Sequence, residues 1–260
     1  MTPARIICLT EETVETLYLM GEGWRIVGVS GFVVRPPEAR RKPKVSTFTD
    51  AKVDEILALR PDLVFTFSDI QAEITANLMR AGLEVHAFNH RTVAGIFAMI
   101  RTLGALIGEP AKADALSANL QANIDAAREK AKSLTRRPRV YFEEWDEPMI
   151  SAIGWVSELI EIAGGENVFA SRAFGQAARD RFVTSEEVIA AAPDIIIGSW
   201  CGKGFKKNEV MARPDWDAIP AVTNGRLYEI KSSIILQPGP AALSDGLADI
   251  VKIIDDAIRP

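Results

Sequence analysis

The feature that most constrains this chain is an interruption. Residues 5–88 and 138–258 alternate short apolar runs with amphipathic stretches, whereas residues 92–134 carry almost no strand signal. Strand and helix in alternation is the pattern of a parallel sheet with helical crossovers. A helical interruption midway predicts two such sheets. Within it, Ile96, Ile100, Leu103 and Ile107 form one helical stripe, broken by Gly108-Glu109-Pro110. Pro110 suits a first helical position, because its missing N–H would be unpaired there in any case. Residues 110–134 are rich in strong helix formers, and at about 1.5 Å per residue they span on the order of 35 Å. The expected architecture is α/β: two Rossmann-like lobes with parallel sheets, joined by a single long bridging helix. The boundaries read as an N-terminal lobe at 1–108, a bridging helix at 109–137 and a C-terminal lobe at 138–260. A length of 260 residues accommodates two lobes of this size.

In the first half, residues 5–9, 25–29, 63–67 and 83–88 read as strands. Helices follow at 13–20, at 69–80, and from a Thr49 or Asp50 cap to Leu59. In the second half, 140–143, 195–197 and 227–230 read as strands, and 156–163, 185–191 and 241–258 as helices. An internal echo links the halves. Glu55-Ile56-Leu57-Ala58-Leu59-Arg60-Pro61-Asp62-Leu63-Val64 matches Glu187-Val188-Ile189-Ala190-Ala191-Ala192-Pro193-Asp194-Ile195-Ile196. Each is a helix end, a Pro-Asp turn and a buried strand.

The chemistry is easier to exclude than to assign. The formal net charge is −5, which argues against a nucleic-acid binder. The basic run from Arg35 to Lys44 is broken by prolines and reads as a solvated loop. No phosphate-binding glycine motif and no nucleophile elbow occurs. His86 and His90 are the only histidines, so no metal site is expected. Cys8 reads as core, and its distance in sequence from Cys201 gives no reason to pair them. Glu143, Glu144 and Cys201 are the residues an enzyme would have to use, and a non-catalytic role is favoured for them. No apolar run is long enough to span a bilayer, and no secretory signal is visible. Location is therefore open: periplasmic if a signal has been removed, cytoplasmic if the chain is complete as given.

The aromatic residues say more. Phe67, Trp145 and Trp200 lie at strand ends, and Phe32 and Phe48 in loops. Strand ends face the crevice in open parallel sheets. A wall of aromatics there suits a large, flat, partly apolar ligand. Trp155 lies just beyond in the same lobe, with Arg181 and Ser232 placed to meet polar arms of the ligand. Trp24 and Trp216, beside apolar turns, are assigned to packing.

The order of parts resembles the helical-backbone (class III) solute-binding proteins of ABC importers, and among them the vitamin B12-binding members. The likeness rests on Val45-Ser46-Thr47-Phe48, on Ile56 to Val64, on Gly164-Gly165-Glu166-Asn167-Val168-Phe169, and on Trp216 to Val222 followed by Gly225-Arg226-Leu227-Tyr228. The resemblance implies a non-enzymatic protein with no intrinsic cofactor. It implies a cobalamin-type corrinoid captured in a cleft between the lobes, and a permease partner docked through one acidic residue per lobe, Glu73 and Glu209, without membrane insertion. Ferric-siderophore binding on the same scaffold is the alternative, with Arg172, Arg179, Arg181, Lys203, Lys206 and Lys207 available against an anionic chelate.

Overall fold

The computed structural model describes residues 2–258 and contains two open α/β sheets. The first is made of β1 (Ile6–Cys8), β2 (Ile26–Ser30), β3 (Lys44–Ser46), β4 (Leu63–Phe67) and β5 (Val85–Phe88). Their order is β3-β2-β1-β4-β5, parallel throughout. Helices α1 (Glu11–Leu19), α2 (Val53–Ala58) and α3 (Ala72–Arg80) form the crossovers, and α4 (Val93–Leu106) follows β5. The 22-residue α5 (Pro110–Ala131) comes next. Contacts divide the chain into two compact units, Met1–His90 with Ala94–Asn119 and Arg91–Val93 with Leu120–Pro260, so the division falls inside α5.

The second sheet comprises β6 (Arg139–Asp146), β7 (Met149–Ser151), β8 (Glu166–Asn167), β9 (Ile195–Gly198) and β10 (Leu227–Glu229). The order is β10-β9-β6-β7, with β8 also pairing with β6, and only β7 runs antiparallel. Its helices are α6 (Gly154–Ile162), α7 (Ser185–Ala191), α8 (Lys207–Met211), α9 (Pro220–Thr223), α10 (Ser232–Ile235) and α11 (Leu247–Ile258). The central strands are sealed on both faces: Ile6, Ile7 and Cys8 of β1 and Ile195, Ile196 and Ile197 of β9 have no exposed surface. Continuous apolar strands of this kind belong inside a parallel sheet with helices on both sides.

The internal echo is a repeated joint. After α2, Arg60 adopts φ 45°; after α7, Ala192 adopts φ 42°. Each left-handed residue turns the chain into Pro-Asp and then into β4 or β9. Asp62 N donates to Arg5 O at 2.8 Å, and the Asp62 carboxylate accepts from Ala4 N and Arg5 N at 2.8 Å each. Asp194 N likewise donates to Arg139 O at 2.8 Å, while its carboxylate accepts from Arg139 N at 2.8 Å and from the Arg136 guanidinium at 2.8 Å. In each unit the aspartate thus clips the entry of one central strand to its neighbour. Those backbone amides hold the Asp62 carboxyl below the usual range. Removing the clip leaves strand-entry amides without their acceptor, so Asp194→Ala is expected to cost about 1–2 kcal/mol in urea unfolding. Asp194→Asn, which retains an acceptor oxygen, should lose less.

Three local expectations are corrected. Helix α2 begins at Val53 without a side-chain cap. Thr47 and Asp50 close a tight turn on each other, with Thr47 N to Asp50 O at 2.8 Å and Asp50 N to Thr47 Oγ1 at 3.1 Å, which occupies the residue expected to cap the helix. The basic run is not a plain solvated loop: Pro37–Arg41 forms a 3-10 turn, and Lys44 opens β3. Trp24 is 64% exposed, with the Arg25 guanidinium 4.7 Å from its ring centre, so it does not pack into the core. Trp216 does: it is fully buried and its indole N–H donates to Ser185 Oγ at 2.7 Å.

Candidate ligand-binding site

Both sheets have a switch point, where crossovers leave a strand pair toward opposite faces. It lies between β1 and β4 in the first unit and between β6 and β9 in the second, as the strand orders require. Ligands bind open α/β sheets at the carboxyl ends of such strands.

In the first unit, the carboxyl end of β1 runs directly into α1. Thr10 is buried, and its hydroxyl donates to Glu12, itself 1% exposed. The second carboxyl oxygen of Glu12 is enclosed without a hydrogen-bond partner among the described residues. Burial, reinforced by Glu12 and Glu15, pushes Glu11 up to about 8. Burial pushes Glu12 up to about 7, against the opposing hydrogen bond from Thr10. Both carboxyls are thereby held well above the ordinary carboxylate range. Gln71 fastens the rest of this edge. Fully buried, it accepts from Phe67 N at 3.0 Å and donates to Leu9 O at 3.4 Å and Phe48 O at 3.1 Å. That holds the Phe48 loop beside the ends of β1 and β4. Phe32 and Phe48 are exposed by 55% and 39%, whereas Phe67 is buried edge-on against His90.

In the second unit a carboxylate forms the hub. Glu143 has no exposed surface and accepts from Tyr141 Oη at 3.0 Å, Trp200 Nε1 at 3.0 Å, and Arg213 Nη1 and Nη2 at 2.6 and 2.9 Å. Burial, with Glu143 adjacent, raises the Tyr141 hydroxyl well above the usual tyrosine range. Glu144 pairs with the buried Arg181, which also donates to Ser151 O at 2.7 Å. Asp146 pairs with Lys203 at 2.6 Å; burial opposes its ionisation, yet Lys203 and backbone amides hold its carboxyl below the usual range. The Lys203 ammonium lies 4.2 Å from the Trp145 ring centre and 5.0 Å from that of Trp200.

These contacts sort the expected ligand residues. Trp145 is half-exposed at the end of β6, its indole N–H donating to Glu147 O at 2.9 Å. Trp155 and Trp200 are buried, and each uses its indole N–H inside the second unit, on Ile235 O at 2.8 Å and on Glu143. Arg181 is held by Glu144 and Ser151, though its Nε is enclosed without a hydrogen-bond partner among the described residues. Ser232 is half-buried at the start of α10. Glu73 is exposed in the first turn of α3, after β4, and pairs with Arg80 at 3.2 Å. Glu209 is exposed in α8, after β9, and pairs with Lys206 at 2.8 Å. Cys201 is exposed and free of any disulfide. Glu143 and Glu144, the carboxylates an enzyme would need, are both engaged by arginines.

Sequence reasoning missed Glu11, Glu12, Gln71, Arg213, and the exposed rings of Phe174 (51%) and Phe182 (39%). Two adjacent acids directly after an apolar strand were a usable signal for Glu11 and Glu12, since their side chains start at a strand end. Arg213 carried none, because it reaches Glu143 from 70 residues away.

Comparison with known proteins agrees with this layout. A periplasmic binding protein family model matches residues 6–234. A vitamin B12-binding protein of Vibrio parahaemolyticus is 27% identical over 243 residues, covering 92% of this chain and 86% of that one. Among solved structures, the periplasmic heme-binding protein RhuT of Roseiflexus sp. RS-1 in apo form superposes with a TM-score of 0.84 at 25% identity, covering 98% of this chain and 99% of that one. The periplasmic vitamin B12-binding protein BtuF of Vibrio cholerae superposes with a TM-score of 0.78 at 22% identity, covering 100% and 99%, a likeness of fold. With two parallel-sheet units and a match across most of its length, the chain belongs to the periplasmic binding protein family, the non-enzymatic solute-binding components of ABC importers.

Proposed function

We propose that this protein captures a cobalamin-type corrinoid and delivers it to an ABC-importer permease. The observation that carries this reading is the combination of accessible aromatic rings with polar groups that carry little net charge. At the second unit's edge, Trp145, Phe174 and Phe182 offer ring surface. Four of the six cations that an anionic iron chelate would need are ion-paired: Arg172 with Glu187, Arg181 with Glu144, Lys203 with Asp146 and Lys206 with Glu209. At the first unit's edge, Phe32 and Phe48 expose ring surface, and burial holds the Glu11 and Glu12 carboxyls well above the ordinary carboxylate range. A corrin offers a broad apolar edge and neutral amide arms, which match rings and uncharged hydrogen-bonding groups. The B12-binding names of relatives point the same way. Phe67, Trp155, Trp200, Arg181 and Ser232 then act largely as the backing that holds these groups.

Titration with cobalamin, cobinamide, haem and a ferric siderophore tests the reading. Cobalamin and cobinamide should quench tryptophan fluorescence at micromolar concentration or below, and the iron chelate should bind far more weakly. Trp145→Ala should weaken cobalamin binding by about 1–3 kcal/mol, the range for a well-packed anchor. Absence of quenching by both corrinoids, or tighter retention of haem or siderophore, overturns the ligand assignment. Glu73 and Glu209 are the proposed permease contacts. Reversing either charge should leave corrinoid affinity intact, since rim charges act mainly on association with a partner.

A further inference from the structure

The Lys203 ammonium sits in a cage. It lies 4.2 Å from the Trp145 ring centre and 5.0 Å from that of Trp200. Both distances fall inside the reach of about 6 Å at which an aromatic face attracts a cation. Asp146 closes the cage, its two carboxylate oxygens 2.6 and 2.8 Å from the same ammonium. The walls are fixed without Lys203. Trp145 and Asp146 end β6, where they pair with Ile150 and Met149 of β7, and the Trp145 indole N–H donates to Glu147 O at 2.9 Å. Trp200, 3% exposed, donates to Glu143 at 3.0 Å and meets the Phe205 ring edge-on at 5.1 Å. Arg213 satisfies Glu143 with two hydrogen bonds, so Asp146 is the carboxylate whose charge is left to the occupant of the cage.

That occupant is loosely supplied. Lys203 lies in the loop after β9, between Gly202 and Gly204, and its side chain is 38% exposed. Gly202 adopts φ 76° and has open space where a side chain would stand. Glycine backbone of this kind rearranges at little steric cost. Among the described residues, the Lys203 side chain is fastened through the cage alone. Two indole faces and one carboxylate suit a quaternary ammonium better than the lysine they hold. A lysine ammonium is compact and strongly hydrated, whereas a bulky cation with no N–H to satisfy touches both rings and loses less hydration. We propose that this cage binds a small organic cation bearing a quaternary ammonium, and that Lys203 is a tethered stand-in which the ligand displaces. The cation uses the indole faces that Lys203 covers. The corrinoid reading uses ring surface that Lys203 leaves open, so the two succeed or fail separately.

Choline is the probe, titrated into the full chain at fixed ionic strength against its neutral carbon isostere, dimethylbutanol, with tryptophan fluorescence as the readout. A ligand that must displace a resident group binds more weakly, in proportion to the fraction of time the cage stands open. Lys203→Ser empties the cage and should bind choline about tenfold or more tightly than the parent. Adding Asp146→Asn to Lys203→Ser should weaken choline several-fold, and the isostere should bind far more weakly than choline throughout. In the parent, choline should also release the Lys203 amine to solvent. Acylation of Lys203, followed by mass spectrometry, should therefore speed up as choline is added. Choline binding by Lys203→Ser that is absent or no tighter than the parent's, or isostere binding that matches choline, overturns the proposal. If Lys203→Ser does not fold, the labelling decides, and a Lys203 acylation rate that choline leaves unchanged overturns it.

Discussion

Arg213→Met is expected to lower the unfolding free energy by about 3–5 kcal/mol, the usual cost of removing one partner from a buried ion pair. Glu143 has no exposed surface, and both Arg213 guanidinium nitrogens bond to it. Without them a carboxylate is left inside the second unit with only Tyr141 and Trp200 as donors. The variant also loses the guanidinium that lies 4.5 Å from the Trp216 ring centre, a smaller contribution. Adding Glu143→Gln to Arg213→Met removes the stranded charge and should restore more than half of the loss. Urea unfolding of the two single variants and the double variant gives the coupling directly. A loss below about 1 kcal/mol for Arg213→Met, or a double variant no more stable than the single, would show that Glu143 does not depend on this partner.

Glu12→Gln is expected to stabilise the protein at alkaline pH and to leave it nearly unchanged at pH 5. Burial raises Glu12 from 4.5 to about 7 and Glu11 to about 8. The folded chain therefore holds protons that the unfolded chain releases. The resulting stability is fully present below about pH 4.5 and is lost as pH rises through about 7 to 8. Because the two acids and Glu15 share one helix start, they titrate together and the loss belongs to the group. A glutamine keeps a partner for Thr10 and removes one charge. At pH 8.5 the variant should exceed the parent by up to about 3 kcal/mol, from a shift of about 2.5 pH units. Urea midpoints measured from pH 5 to pH 9 decide it, and parallel curves for parent and variant would refute the burial of these charges.

Much of the fold was legible because it rests on local signals. Continuous apolar runs marked the central strands, helical apolar spacing marked the long helices, and Pro110 marked the start of α5. Thr184 with Glu187 is a reciprocal cap at the start of α7, readable from spacing alone. What escaped was set by contacts distant in sequence. Met149–Ser151 forms an antiparallel strand only because β6 is there to pair with it. The π segment Ala242–Gly246 before α11 goes with a serine that bonds back to Pro240 O at 2.9 Å and a glycine pressed against Ile235. The site was less legible than the fold for the same reason. An aromatic at a strand end shows in sequence, but whether its ring stays accessible, as for Trp145, or is drawn inward by Glu143, as for Trp200, depends on partners tens of residues away.

The Pro-Asp joint behaves as a transferable part. In both units it makes the same two strand-entry hydrogen bonds, from the aspartate amide and to its carboxylate, using residues of its own unit. Nothing in it depends on which ligand the sheet serves, because it closes the amino ends of the strands, away from the carboxyl ends where Phe48 and Trp145 stand. Variation can therefore accumulate at one end of each sheet while the other end stays fastened. A chimera that exchanges Arg60-Pro61-Asp62 with Ala192-Pro193-Asp194 would keep both seams intact. A scaffold assembled this way can acquire a new cargo without relearning how to fold.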